Sequence, residues 1–199
     1  MNRKTIQLPA LFLITLAIAL GSCNSKQNTG EHQHEMNSES ATATPFDTVK
    51  KSIPKEEHAQ IGDAHIMVKY HAPAVRGRTI WGGLVPYGEV WVTGAHSATS
   101  LEIDNDFSIG DQQIPAGKYA LFIIPGKDKW TIIVNKNWEQ HLADDYHQKD
   151  DVVRLEITPE LLENTQERLK YSITQVDNSN ASLDISWEKI KASMPIQIK

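Results

Sequence analysis

After Gly62 the chain becomes a series of short segments in which apolar and polar residues alternate, and glycine, proline, asparagine or aspartate ends most of them. In the first, residues 65–70, Ile66, Val68 and Tyr70 share one face. Two-residue alternation is typical of β-strands with one buried face, and no long helical period competes with it. The pattern predicts an all-β protein, an antiparallel and jelly-roll-like β-sandwich of about eight to ten short strands with one or two short helical turns.

Three segments predict the sheets in more detail. Residues 119–124 are apolar on both faces, which is typical of a central strand. The sequence Pro-Gly-Lys-Asp at 125–128 then predicts a hairpin that returns along residues 130–134. In the last strand Leu183, Ile185 and Trp187 share a face, but the apolar phase shifts at Ile190, which predicts a β-bulge.

Other segments are less regular. Residues 89–93 are predicted as a further strand, and residues 135–151 as an irregular polar connection with one helical turn near 138–145. The Thr-Pro-Glu sequence at 158–160 is interpreted as a short helical turn or loop before the strand around 169–173.

The N-terminus predicts export. A basic start is followed by an uncharged run over residues 6–20, which is too short for a comfortable membrane span and fits a secretory signal peptide. The sequence Leu-Gly-Ser-Cys at 20–23 resembles the lipobox of bacterial lipoproteins, in which the cysteine becomes the lipidated N-terminus. Cys23 is the only cysteine of the chain, so it is the predicted lipidation site and leaves no thiol for a disulfide.

These features predict three parts. Residues 1–22 are the lipoprotein signal peptide, residues 23–58 are the lipidated cysteine and a disordered polar tether, and residues 59–199 are a single β-sandwich domain. The predicted location is the bacterial cell envelope, at the outer membrane or periplasmic face rather than in the cytoplasm, with the N-terminal lipid in the membrane. Loss of Arg3 and Lys4 with the signal would move the net charge from −5 to −7, which argues against nucleic acid as a partner.

The tether contains one cluster of metal-ligating residues, Glu-His-Gln-His-Glu-Met at 31–36. Two imidazoles, two carboxylates and a thioether could bind Cu or Zn weakly. The alternative is a plain polar spacer, because a disordered segment loses conformational freedom when it binds a metal.

Residues 81–99 are the strongest candidate for a ligand surface, since they hold four glycines, two tryptophans, a tyrosine and a histidine. Exposed aromatic rings on rigid loops could stack against a sugar or a peptide, and Trp138 could contribute in the same way. Two arginines that flank Gly77 could hold an anionic group. The alternative is that the tryptophans belong to the core, as expected for Trp130 and Trp187. The candidate ligand-binding residues are Trp81, Tyr87, Trp91, Arg76 and Arg78.

A second hypothesis is a metal or catalytic site built from histidines and carboxylates, the ligands that Zn and Cu take in proteins. His141 and Asp145 would share a face if their segment were helical. Surface histidines with ordinary hydrogen bonds are the alternative. The candidate ligands are His96, His141 and Asp145, with Asp144 or His147 in place of Asp145 and with His65 or His71 as further members.

A third hypothesis, hydrolysis through Ser97 or Ser100 with His96, has little support. Neighbouring strand residues point to opposite faces, and the chain lacks a Gly-x-Ser-x-Gly nucleophile elbow. Zincin and P-loop spacings are missing as well.

Several stretches together resemble the bacterial family catalogued as domain of unknown function 2911. The resemblance spans residues 65–196 and implies a shared fold but no mechanism. Many members carry Trp-Arg-Thr-Gly-Ala-Asn where this chain has Val92 and His96, so a site that uses that arginine does not carry over. The stretches are residues 76–78, 81–91, 93–95, 98–99, 114–119 and 124–126.

The sequence therefore favours a lipid-anchored envelope protein that binds a small molecule, glycan or peptide through residues 81–99. A metal-dependent enzyme centred on His96 and His141, with Zn or Cu, is the alternative. Three or more ligand atoms aimed at one point would favour the enzyme, whereas an open aromatic trough would favour the binding module.

Overall fold

The computed structural model describes residues 51–199. These residues form ten strands and one 3-10 turn in two antiparallel sheets, which confirms the all-β prediction and the expected number of strands. Within the described range no helix is long and apolar enough to span a membrane. The predicted signal peptide, Cys23 and the tether up to residue 50 lie outside the described residues.

The larger sheet has six strands in the order β1-β2-β3-β6-β7-β8. Strand β6 lies between β3 and β7, so the prediction of a central strand there is confirmed, as is its hairpin with β7. The strands are β1 Ile53–Ile61, β2 Ala64–Ala72, β3 Thr99–Ile103, β6 Gly117–Ile124, β7 Trp130–Asn135 and β8 Asp151–Ile157.

The smaller sheet has four strands in the order β5-β4-β10-β9. Its members are β4 Phe107–Ile109, β5 Gln112–Ile114, β9 Glu160–Gln175 and β10 Asn180–Ile198, and the 3-10 turn is Gln148–Asp150. The bulge predicted in the last strand is confirmed, since the register of β10 against β9 shifts on both sides of Glu188.

The main core fills the space between the inner faces of the sheets, and Phe107, Tyr171 and Trp187 are among its largest fully buried side chains. A second, smaller cluster lies on the other face of the larger sheet. There Ala120 and Phe122 of β6 pack against residues from the loops at 90–98 and 138–146. This double coverage explains why residues 119–124 are apolar on both faces.

Three predictions of local structure are wrong. Residues 89–93 form no strand, because Trp91 alone makes a bridge to Ile123 of β6. The helical turn expected at 138–145 is replaced by bends and turns, with the 3-10 turn further on at Gln148–Asp150. Residue 160 does not belong to a turn but begins β9, a 16-residue strand that pairs along β10.

The boundary of the folded domain also needs correction. Strand β1 begins at Ile53, within the segment assigned to the tether, and every residue of β1 pairs with β2, from Ile53 with Ala72 to Ile61 with Ala64. A polar sequence is compatible with an edge strand because the backbone ladder, rather than a buried face, holds it in place. The folded part therefore starts before residue 59.

Candidate functional site

Two loops meet beside the larger sheet and form a short ridge, defined here as residues 96–98 and 140–142. The amide of Ala98 donates to the carbonyl of Gln140 at 3.0 Å, and the amide of Leu142 donates to the carbonyl of His96 at 2.8 Å. Ser97 and His141 lie opposite each other in this antiparallel bridge. The structure thus brings the segments of the two predicted histidines, His96 and His141, side by side.

The ridge has a strained backbone. His96 and Leu142 of the ridge have φ angles of 67° and 51°, and Thr93, three residues before the ridge, has a φ of 50°. Residues other than glycine rarely adopt this region. Such strain persists where the surroundings impose it, and it is common at functional sites. The unusual backbone here marks the ridge as a candidate part of such a site.

A buried network beneath the ridge supplies that constraint. The Thr93 hydroxyl donates to the carbonyl of Leu121, and the Tyr171 hydroxyl donates to the carbonyl of Thr93, at 2.8 and 2.9 Å. Burial raises the pKa of Tyr171, so this hydroxyl keeps its proton. Gly94 lies so close to Thr99 that an added Cβ would be 2.8 Å from the Thr99 Oγ1 atom. Thr93 and Gly94 are thus held by hydrogen bonds and by close packing against their neighbours.

An open trough of about 800 Å³ runs along the outer face of the larger sheet. Glu56, Lys69 and Ser100 are successive cross-strand partners on β1, β2 and β3 and form part of its floor. The ridge and the loop that follows β7 form its wall. The lining residues are Pro54, Lys55, Glu56, Lys69, Tyr70, His71, Ser97, Ala98, Ser100, Lys118, Trp138, Glu139, Gln140 and His141.

The trough combines an aromatic ring with several charges. The Lys118 ammonium lies 3.7 Å from the centre of the half-buried Trp138 ring, a cation–π contact. Lys69 Nζ lies 3.2 Å from Glu56 Oε1, and the hydrogen bond from Lys69 is the main reason why the pKa of Glu56 is lowered. These contacts orient the charged groups while leaving the trough open.

Two histidines of the trough differ in their surroundings. His141 Nδ1 lies 2.9 Å from Asp144 Oδ2, and both side chains are about two-thirds exposed. A carboxylate only accepts, so it favours the His141 tautomer that carries a proton on Nδ1. Burial, and secondarily the nearby His96, lowers the pKa of His71 and favours its neutral form at pH 7.

A second cavity, of about 380 Å³, contains three of the five predicted ligand-binding residues, Arg76, Arg78 and Trp91. Leu142 and Trp187 line it too. The Arg78 guanidinium donates to the carbonyls of Ala74 and Val75, at 2.5 and 3.1 Å, so much of its donor capacity is already used within the protein.

The predicted aromatic surface is not assembled as one open face. Trp81 contacts three other tryptophans, with ring centres 4.5 Å away for Trp130, 5.5 Å for Trp91 and 5.9 Å for Trp187. Its buried indole nitrogen has no hydrogen-bond partner within residues 51–199. Tyr87, by contrast, is 43% exposed and, like Trp81, lines neither of the two cavities. Trp81 is therefore a partly buried residue that packs against the core, which favours the alternative raised from the sequence.

The predicted metal ligands do not converge either. Asp144, rather than Asp145, contacts His141, because this segment forms turns and the spacing of a helix does not apply. His96 instead packs edge-on against His71, with ring centres 5.2 Å apart. Across residues 51–199, no three or more His, Cys, Asp or Glu side chains are grouped so that they could hold a metal ion.

Sequence reasoning missed most of the residues that line the trough. Lys118 could have been found from the sequence. It is a lysine near the start of the most apolar strand, and a charged residue there indicates that its side of the strand has access to solvent. Ser97 was considered with His96 but lies opposite His141 instead. Ser100 was considered only as a partner of His96, and Lys69 was not considered, because the proximity of Lys69 and Ser100 depends on the pairing of distant strands.

The folded part of the chain matches one family model over residues 52–196, which include all of β1 to β9 and all but the last two residues of β10. Neither the curated proteins nor the solved structures include a match to this chain. By the extent of the family match, the chain belongs to the family described as "Protein of unknown function (DUF2911)".

Proposed function

We propose that this protein is a lipid-anchored binding module of the bacterial cell envelope, which holds part of a glycan or a peptide in the trough. The observation that carries the proposal is the open cavity of about 800 Å³ that combines the Trp138 ring, three lysines and two histidines. Its volume lies within the range of small-molecule sites, roughly 300–1,000 Å³.

The composition of the trough suits a ligand with both apolar and polar parts. The Trp138 ring offers an apolar surface beside the Lys118 ammonium, while the hydroxyls of Ser97 and Ser100 offer hydrogen bonds. Sugars and peptide backbones carry C–H surfaces next to hydroxyl or amide groups, which is the pattern that such a surface complements. The floor lies on paired strands, so little conformational entropy would be lost on binding.

The anchor is proposed from the sequence alone. The lipobox-like residues 20–23 would place a lipid on Cys23, and the polar stretch that follows would let the folded part reach ligands near the membrane. A net charge that becomes more negative after processing argues against nucleic acid as the partner.

Binding can be tested by isothermal titration calorimetry on the full chain in detergent. Chito-oligosaccharides serve as glycan probes and tripeptides with acidic, basic or neutral side chains serve as peptide probes. One class should bind, and Trp138→Ala should weaken that binding about tenfold or more, as aromatic anchors do. Tyr87→Ala is the matched control, since Tyr87 is exposed but lines neither cavity. Equal loss of affinity in both variants, or no binding of either class of probe, would reject the trough as the binding site.

A metal-dependent enzyme remains the second candidate, favoured by the ridge that pairs the segments of His96 and His141. Elemental analysis of the wild type, His96→Ala and His141→Ala would test it. Stoichiometric Zn or Cu that is lost in both variants would support the enzyme and would argue against the binding module as the main role.

A further inference from the structure

A second pair of histidines lies at the edge of the larger sheet. The rings of His58 on β1 and His65 on β2 are stacked, with centres 5.2 Å apart and an interplanar angle of 29°. His58 Nδ1 and His65 Nε2 are 3.2 Å apart. This contact involves neither His96 nor His141.

The register of β1 and β2 produces the contact. His58 pairs with Met67, and Gln60 pairs with His65, so the two histidines are diagonal neighbours on one face of an antiparallel pair. Long side chains reach each other at such positions. Both backbones are held by the ladder, so the two imidazoles are already close before any ligand arrives.

A carboxylate orients one of the rings. Glu56 Oε2 lies 3.3 Å from His58 Nε2, and Lys69 holds the other oxygen of Glu56 at 3.2 Å. A carboxylate accepts hydrogen bonds, so this contact favours the His58 tautomer that carries its proton on Nε2 and leaves the Nδ1 lone pair facing His65. The same arrangement supports histidine ligands in metal proteins.

We propose that His58 and His65 form a two-histidine site for a divalent late transition metal, with Cu²⁺ as its strongest ligand. Two nitrogens that each lie about 2.0 Å from one metal ion are themselves roughly 3 Å apart, close to the separation seen here. His58 is exposed and His65 partly exposed, so side-chain rotation could turn both lone pairs toward one ion. Imidazole suits Cu and Zn, and Cu²⁺ binds a given nitrogen site most tightly among the divalent ions of this series.

The site has two protein ligands, and water completes the coordination. It therefore differs from the three-ligand centres for which no candidate occurs in residues 51–199. Binding requires His65 in the tautomer with its proton on Nδ1, so that Nε2 is free, and no bond is made or broken except those to the metal. The open positions make this a site that captures and exchanges the ion.

The test is a titration of the full chain with Cu²⁺, followed by calorimetry and electron paramagnetic resonance. His32→Ala and His34→Ala are introduced first, because the sequence around them could bind the same ion. One ion should bind, with hyperfine coupling to two nitrogens. His58→Ala and His65→Ala should each weaken binding at least about tenfold, and Glu56→Gln should weaken it about tenfold, as outer-shell changes do.

The matched control is the double variant His71→Ala and His96→Ala. That pair has the same 5.2 Å ring separation but meets edge-on, at an interplanar angle of 84°. The control should retain the affinity and the two-nitrogen signal. Unchanged binding in His58→Ala, or loss of binding in the control pair, would overturn the proposal. Circular dichroism melting of each variant separates loss of the site from loss of the fold.

Discussion

The trough and the second cavity are built from the same kinds of side chain but use them differently. Both combine indole rings with cations, and the ridge contributes residues to each. In the second cavity Trp187 is 2% exposed and Arg78 donates to backbone carbonyls, so these groups stabilise the loop. In the trough the Trp138 ring is half-buried beneath the Lys118 ammonium. Burial and hydrogen bonding, rather than residue type, separate a structural cluster from a binding surface.

The largest expected effect is on Trp187. Trp187→Ala removes a ring that stacks on Trp91 and contacts Trp81, so it should lower the free energy of unfolding by about 3–5 kcal/mol. Trp138→Ala should lower it by much less, because that ring is half-buried. Urea denaturation followed by far-UV circular dichroism measures both. Equal losses would remove the distinction between the two cavities.

Gly94 is expected to show the next largest effect. A Cβ there would meet the Thr99 Oγ1 atom at 2.8 Å, so Gly94→Ala should cost about 1–3 kcal/mol through overpacking. Gly88→Ala is the control, because its Cβ would meet nothing within 4 Å but its φ of 79° imposes backbone strain. A smaller loss of stability in Gly94→Ala than in Gly88→Ala would mean that the surroundings of Gly94 are loosely packed. Thermal melting of the two variants makes the comparison.

Removing a cation from the second cavity should destabilise the fold more than removing one from the trough. Arg78→Ala removes the donor to the Ala74 carbonyl and one of two donors to the Val75 carbonyl, which keeps its bond from the backbone amide of residue 78. The change should cost about 1–3 kcal/mol of stability. Lys118→Ala should cost less than about 1 kcal/mol, because exposed cation–π contacts are weak. It should, however, weaken any ligand of the trough. The comparison fails if Lys118→Ala destabilises the fold as much as Arg78→Ala does.

The smallest effect concerns pH. Burial lowers the pKa of His71 below 6.5, so the folded state binds its proton less readily than the unfolded state. The stability that the neutral ring contributes is therefore present above pH 6.5 and decreases as the pH falls through that value. NMR titration should show the depressed pKa, and His96→Ala should raise it slightly, since His96 is the secondary cause. An unchanged pKa in that variant would rule out the coupling of the two rings.

Much of the fold could be predicted because its signals are local. Residues 119–124 are apolar on both faces since β6 is covered on both, and the shift of phase after Trp187 marks the bulge at Glu188. Strand β1 could not be recognised from composition, because its polar residues depend on the backbone of β2 for their pairing. For the same reason His58 was assigned to the tether and its contact with His65 was missed.

The candidate site was harder to predict than the fold, because it depends more on the pairing of distant strands. The sequence singled out residues 81–99 and the histidines, and it raised both a core role and a ligand role for the tryptophans. Only the packing distinguished these roles, since it placed Trp81 against three other tryptophans at the core and Trp138 against Lys118 in an open trough.

The sequence by itself determined the all-β class, the central hairpin, the bulge and the family of this protein. Those properties follow from alternation, turn residues and characteristic stretches, which act over a few neighbouring residues. The tertiary structure decided which aromatic and charged side chains meet. Glu56, Lys69 and Ser100 come together across three strands, and that proximity follows from strand order and register.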